Sequence, residues 1–178
     1  MELQNPSASY FSSFQHSLVE WGAAHQDGAG IRDAGDLTSI AGFTSWVDEL
    51  RAEEMAPAGP GLVTCSYFWM VEDGEYLGSI ALRHELNDYL AEFGGHIGYS
   101  VRPSRRGRGL AAEALARALP LVAARGIPQV LLVCAADNLA SRRTIERTIE
   151  RSGGAFDGEV RDGLETLRRY WIDTDSIV

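Results

Sequence analysis

The sequence contains no lysine, so all sixteen of its basic residues are arginines. Without lysine the chain can form neither a Schiff base nor a phosphate loop of the Gly-Lys-Ser/Thr type. Its only two cysteines, Cys65 and Cys134, lie in apolar runs, which predicts buried thiols, no disulfide framework and no metal site. No run of about 18 apolar residues is present and the first residues lack a signal-peptide pattern, so we expect no membrane association and a cytoplasmic location.

Basic charge is also scarce overall. The formal net charge is −9, and such an acidic balance repels nucleic acid while it attracts a cationic small molecule or a basic peptide. We therefore expect no nucleic-acid partner. Four arginines between residues 102 and 108 are a local exception to this balance.

The length of 178 residues predicts one domain spanning 1–178, with N-terminal helices in 1–60 and a sheet core in 61–173. Apolar periodicity predicts the order helix, helix, three antiparallel strands, helix, strand, helix and two strands. In the last helix a four-residue unit is repeated in "TIERTIER". We expect this repeat to lengthen the helix by one turn, or to add a π-type bulge, so that the helix projects past the sheet.

The four arginines lie in "SVRPSRRGRGLAAEAL", between a predicted strand and a predicted helix. The first N–H groups of a helix have no intrahelical partner and carry the positive end of its dipole, which favours an anion. Gly107 and Gly109 would let the backbone approach a pyrophosphate, with Arg106 and Arg108 adding charge at the rim. The alternative is a tight turn whose arginines are only solvated.

Residues 106–111, Arg-Gly-Arg-Gly-Leu-Ala, resemble the Q/R-x-x-G-x-G/A motif of the GNAT superfamily of N-acetyltransferases, in which this loop binds the pyrophosphate of acetyl-CoA. Asn138 and Ser141 look like the residues that open the following helix of that family beside the pantetheine arm. The similarity covers roughly residues 60–173. More narrowly, "LRHELN", "GGHIGYSVRP" and "RYWI" resemble an uncharacterised bacterial branch of predicted acetyltransferases.

This resemblance implies a mixed α/β (α+β) fold. Its central sheet would be mixed but mostly antiparallel, splayed at the cofactor strand pair and flanked by about four helices. It implies transfer of an acetyl group from acetyl-CoA to a primary amine by direct attack, in a monomer or homodimer. The resemblance gives no acceptor, but the acidic net charge suggests a cationic amine, either a small molecule or a peptide amine. The expected cofactor-binding residues are Tyr99, Ser100, Val101, Arg106, Gly107, Arg108, Gly109, Leu110, Ala111, Asn138 and Ser141.

The catalytic side chains are less defined by the pattern. Many members carry a tyrosine on the helix after the Asn, and here those places hold Ile145 and Glu146. Ser141, a water molecule or Tyr170 remain as proton donors for the leaving thiolate. His84, His96 and Glu92 are the candidate bases, although each histidine has a purely structural interpretation. The alternative function is a GNAT-fold module that senses CoA or acyl-CoA without chemistry.

Overall fold

The computed structural model describes residues 1–32 and 34–174, in which four α-helices flank seven strands. The elements are β1 (Glu2–Gln4), α1 (Phe11–Trp21), α2 (Ile40–Ala52), β2 (Cys65–Glu72), β3 (Glu75–Arg83), β4 (Ile97–Val101), α3 (Leu110–Ala123), β5 (Gln129–Ala135), α4 (Leu139–Ser152), β6 (Ala155–Asp162) and β7 (Glu165–Asp173). Short 3-10 turns precede α1 and follow β4, and a π turn, Leu90–Gly94, precedes β4. The predicted order is confirmed except for β1, which is too short to show a sequence pattern.

The strands form two antiparallel ladders, in the orders β1-β2-β3-β4 and β5-β7-β6. The β2–β3 hairpin turns at Asp73-Gly74, where both residues have positive φ, as the Asp-Gly pair predicts. Side chains of successive strand residues point to opposite faces, so Trp69 packs with α1 and α2 while Met70 packs with α3 and α4. The sheet is therefore covered on both faces by the predicted helices.

Strands β4 and β5 lie side by side but share no ladder in the described part of the chain. They are joined at one end, where the His96 N–H donates to the Leu131 carbonyl (2.8 Å) and the Leu131 N–H donates to His96 Nδ1 (2.9 Å). Beyond this junction β4 pairs only with β3, and β5 pairs only with β7. The expected splay of the sheet is thus confirmed, and His96 marks its closed end.

Helix α4 runs unbroken to Ser152, with no π segment. The expectation that its last turn projects past the sheet is wrong, because Thr148 is only 5% exposed and Ile149 packs against the α3–α4 core. Pro120 lies inside α3, which nevertheless continues to Ala123. Of the described residues, none belongs to a helix long and apolar enough to cross a membrane.

Candidate functional site

The loop after β4 is fastened to α1 by one carboxylate. Glu20 accepts a hydrogen bond from Arg102 Nε (2.7 Å) and another from the Ser104 N–H (3.0 Å). Arg102 is only 8% exposed, and its hydrogen bond lowers the pKa of Glu20 to about 2. The first arginine of the cluster is therefore a structural clamp on the loop rather than a free cation.

The other three arginines of the cluster also have protein partners. Arg105 pairs with Glu75, and Arg108 with Glu72 at 2.6 Å. Arg106 lies over the Trp21 ring, 4.7 Å from its centroid, and donates to the Val101 carbonyl. Three of the four guanidinium groups are thus neutralised by carboxylates, so the backbone is left as the main anion-binding element of this loop.

The two glycines of the loop give it an open, left-handed backbone. Gly107 and Gly109 have φ of +76° and +81°, and a Cβ added at either would meet no heavy atom within 4 Å. Gly109 is the N-cap of α3, and the first helical bond runs from the Glu113 N–H to its carbonyl. The N–H groups of Leu110 and Ala111 therefore lack an intrahelical partner. Unpaired N–H groups beside this open backbone, the glycine cradle, can bind an anion, and binding of the CoA pyrophosphate here stays a prediction of the motif.

The free edge of β4 faces the gap to β5. Arg83 donates its N–H to the His96 carbonyl and Arg102 donates its N–H to the Leu77 carbonyl, which fixes the pairing with β3. Because backbone groups alternate in direction along a strand, the N–H groups of Tyr99 and Val101 point into the gap. The backbone of Ser100, predicted together with them, faces β3 instead.

At the other side of the gap, α4 begins with the predicted Asn–Ser pair. Asn138 caps the helix by accepting a hydrogen bond from the Ser141 N–H (3.1 Å). The Ser141 hydroxyl lies 2.8 Å from the Tyr99 hydroxyl, and burial raises the pKa of Tyr99. A phenol on β4 and a hydroxyl on α4 therefore form one hydrogen-bonded pair across the gap.

His96, a predicted base, is 7% exposed at the closed end of the gap. Burial and the nearby charge of Arg83 lower its pKa to about 4, so the ring is neutral at pH 7. Since Nδ1 accepts the hydrogen bond from the Leu131 N–H, the proton of the neutral ring is on Nε2. No lone pair is left to accept a proton, and these contacts argue against a base role.

His84, the other histidine proposed as a base, directly follows the last residue of β3. Its Nε2 is 2.8 Å from the Ser66 hydroxyl, which also contacts Glu54 and Arg125. Burial, with the Arg125 charge second, lowers the pKa of His84. The side chains of Leu82 and His84 point to the same face of the sheet, and Leu82 packs in the core formed with α3 and α4. His84 therefore lies on the opposite face from α1 and α2.

The other two predicted catalytic residues, Tyr170 and Glu92, differ in exposure. Tyr170 is 1% exposed, and its hydroxyl donates to Glu146 (3.1 Å) and accepts from Arg168 (2.8 Å). Glu92 is exposed on the π turn, where its carbonyl accepts a hydrogen bond from Arg169. Neither side chain forms a hydrogen bond with Tyr99 or Ser141 in the described structure.

A cavity of about 620 Å³ opens on the α1–α2 face of the sheet. Residues 24–32 of the loop between α1 and α2 form one wall, and part of the segment before β4 forms another. Gly28 lies so close to β4 that an added Cβ would be 2.1 Å from the Gly98 carbonyl oxygen. The Gly-rich composition of residues 25–36 is a sequence signal for such a close approach.

Charged side chains line this cavity, and no motif in the sequence predicts a role for them. Glu53 accepts hydrogen bonds from Arg32 (2.7 Å) and from the Tyr67 hydroxyl (2.9 Å). Arg83 also borders the cavity, and its Nη1 donates to the carbonyls of Gly94 and Gly95 at 2.9 Å each. In residues 1–32 and 34–174 no group of three or more His, Cys, Asp or Glu is placed to hold a metal ion.

Comparison with solved structures shows the same fold in several acetyltransferases. An acetyltransferase from Salmonella typhimurium that modifies the N-terminal serine of a 50S ribosomal subunit protein is 16% identical, with a TM-score of 0.63 over 96% of this chain and 93% of that chain. A mutant spermidine N-acetyltransferase from Vibrio cholerae is 13% identical, with a TM-score of 0.65 over 100% and 98%. A microcin self immunity acetyltransferase in complex with acetyl-CoA and AMP is 13% identical, with a TM-score of 0.65 over 96% and 91%.

At the level of sequence, no curated protein matches the chain. The family model described as acetyltransferase (GNAT) domain matches residues 20–148. This range contains the Gly107–Gly109 cradle, the free edge of β4 and the start of α4, which are the elements placed around the gap. With more than half of the chain matched, this protein belongs to the GNAT family of acetyltransferases.

Proposed function

We propose that the chain transfers an acetyl group from acetyl-CoA to the primary amine of a small molecule or a peptide. The observation that carries this proposal is the placement of two sites against one strand. The open glycine cradle follows β4, and Gly28, which lines the cavity, packs against Gly98 of β4. The neighbours that act on spermidine and on an N-terminal serine support an amine as the acceptor.

When bound, acetyl-CoA supplies a thioester that accepts the amine and releases a thiolate. The N–H groups of Leu110 and Ala111 would hold the pyrophosphate at the start of α3. The backbone groups of Tyr99 and Val101 that face the gap would bind the amides of the pantetheine arm. One of these N–H groups is also the candidate donor to the thioester carbonyl oxygen.

The Tyr99–Ser141 pair is the best placed source of a proton for the thiolate. Its two hydroxyls lie 2.8 Å apart at the gap, and the raised pKa of Tyr99 keeps the phenol protonated at neutral pH. Tyr170 is less suitable, because its hydroxyl is already held between Glu146 and Arg168. We therefore assign Ser141, supported by Tyr99, as the proton donor.

The amine must lose its own proton before attack. His84 Nε2 contacts the Ser66 hydroxyl, His96 Nδ1 accepts a hydrogen bond from the Leu131 N–H, and Glu92 is exposed to solvent. We propose that solvent takes this proton. Neither cysteine is suited to a covalent acyl-enzyme, because burial raises the pKa of both thiols.

The same shortage of a base favours one alternative, a module that binds CoA or acyl-CoA as a sensor. Release of CoA thiol from acetyl-CoA, measured over a panel of primary amines, separates the two functions. An acetyltransferase shows amine-dependent release that Tyr99→Phe slows while CoA binding stays unchanged. A sensor binds CoA, and loses that binding in Gly109→Asp, but gives no release above the amine-free rate with any amine.

A further inference from the structure

Arg83 is a cation without a carboxylate partner in a cavity of an acidic protein. It lies at the end of β3, is half-buried, and borders the cavity. The only hydrogen bonds of its side chain in the described structure run from Nη1 to the carbonyls of Gly94 and Gly95. Nε and Nη2 therefore remain to donate to a bound group.

The other charged side chains that line the cavity already have partners. Arg32 and Glu53 form an ion pair of 2.7 Å, and Tyr67 donates to the same carboxylate oxygen. Asp27 is largely exposed at the rim, where it contacts His25. Arg83 is thus the one cation lining the described cavity that has no internal counter-charge.

Arg83 lies close to β4, the strand whose free edge faces the proposed site of the thioester. Its Nη2 lies 3.5 Å from the place where a Cβ on Gly98 would stand, so the guanidinium lies over the backbone of β4. An anion bound to Nε and Nη2 would hold the rest of a small molecule beside β4. The positive charge would also favour the neutral form of a nearby amine, which is the form able to attack.

Resting on the proposed function, we propose that the acceptor is an amine that also carries an anionic group, a carboxylate or a phosphate, and that Arg83 binds this group. The guanidinium presents paired N–H donors in the geometry that carboxylate and phosphate oxygens accept. A cavity of about 620 Å³ is large enough for an acceptor the size of an amino acid or a short peptide. The net charge alone suggests a cationic acceptor. The cavity instead offers a free cation and no free carboxylate pair, which favours an amine that also carries an anionic group.

The test compares matched amines in the thiol-release assay. Each α-amino acid is paired with its carboxamide, and each phosphate-bearing amine with the corresponding amino alcohol. For the parent we expect kcat/KM to be at least about 10-fold higher for the anionic member, as a charge-assisted pair gives. Arg83→Gln should abolish this preference by raising KM for the anionic member alone, and Arg83→Lys should retain part of it.

Arg147→Gln is the matched control, because Arg147 is exposed on α4 and lines no part of the cavity. It should keep the preference of the parent, and CoA affinity in all variants should equal that of the parent. Acetylation of amides and amino alcohols as fast as of their anionic partners by the parent overturns the inference and leaves the proposed function intact.

If no amine stimulates release, the proposed function fails and binding decides the inference. Calorimetric titration of the CoA-saturated parent with the same matched pairs should then show that the anionic members bind and that Arg83→Gln weakens them at least about 10-fold. No binding by the parent, or equal binding by Arg83→Gln, overturns it.

Discussion

Removal of the Glu20 charge tests the clamp that joins α1 to the loop after β4. Arg102 and Ser104 lower the pKa of Glu20 from 4.5 to about 2, a difference that corresponds to at most about 3.4 kcal/mol. A quarter of the Glu20 side chain is exposed, so screening by solvent reduces the expected loss to about 1–2 kcal/mol. We expect Glu20→Gln to lower the free energy of unfolding at pH 7 by this amount, measured by urea denaturation.

The sign of the pH dependence follows from the lowered pKa. Stability from a carboxylate of this kind is present above the unfolded pKa of 4.5 and is lost as pH falls toward the folded value of about 2. The difference between parent and Glu20→Gln should therefore be constant from pH 8 to about pH 5.5 and shrink below pH 4.5. In contrast, Arg117→Gln, which removes an exposed pair with Glu113, should cost less than about 0.5 kcal/mol.

The same substitution should weaken CoA binding, because the Ser104 N–H and the Arg102 side chain lose the carboxylate that holds the loop. We expect the CoA dissociation constant, measured by calorimetry, to rise about 5- to 10-fold. Unfolding free energies that match the parent at pH 7, or a deficit of equal size at pH 7 and pH 3, would refute the reasoning about the clamp.

Three further changes probe the gap and the helices. Gly109→Asp should raise the CoA dissociation constant at least about 10-fold in calorimetry, because a carboxylate enters the cradle, and should cost about 1 kcal/mol of stability at a φ of +81°; unchanged CoA affinity would contradict the assigned site. Tyr99→Phe should lower kcat at least about 10-fold with the CoA dissociation constant unchanged, whereas an equal kcat would remove Tyr99 from the proton path. Deletion of residues 148–151 should lower the free energy of unfolding by about 2–3 kcal/mol through lost packing of Ile149; stability equal to that of the parent would show that the repeat is a neutral extension.

The local pattern of the sequence predicts most of the fold. Apolar residues at helical spacing identify α3, whose buried face includes Leu115 and Leu119, and the uninterrupted apolar run identifies β5. The Asp73-Gly74 pair marks the hairpin correctly. Strand β1 could not be predicted because three residues contain too few positions to show a period; in the structure it pairs with β2, and Leu3 packs against the core.

Side-chain partners far apart in the chain could not be predicted in this way. Glu20 is 82 residues from Arg102, and nothing in the local sequence indicates that they meet. The role of His96 depends on Leu131, 35 residues away, and its position after Gly-Gly suits both a base and a structural residue. The motifs predict the positions of the Gly107–Gly109 cradle and of the Asn138–Ser141 pair. The contacts that decide what each side chain does are seen only in the folded chain.

The arginine cluster shows why net charge and local charge must be argued separately. Three of its four guanidinium groups pair with Glu20, Glu72 and Glu75, and that of Arg106 lies over the Trp21 ring, so the cluster adds little net positive potential to the loop. An anion would then be recognised chiefly by backbone N–H groups at the start of α3, whose dipoles are fixed by the helix and not by mobile side chains. Arg83, which lines the cavity on the α1–α2 face of the sheet, is a second cation without a carboxylate partner in the described structure. The distribution of pairing, and not the count of arginines, therefore determines where this acidic protein can hold a negative group.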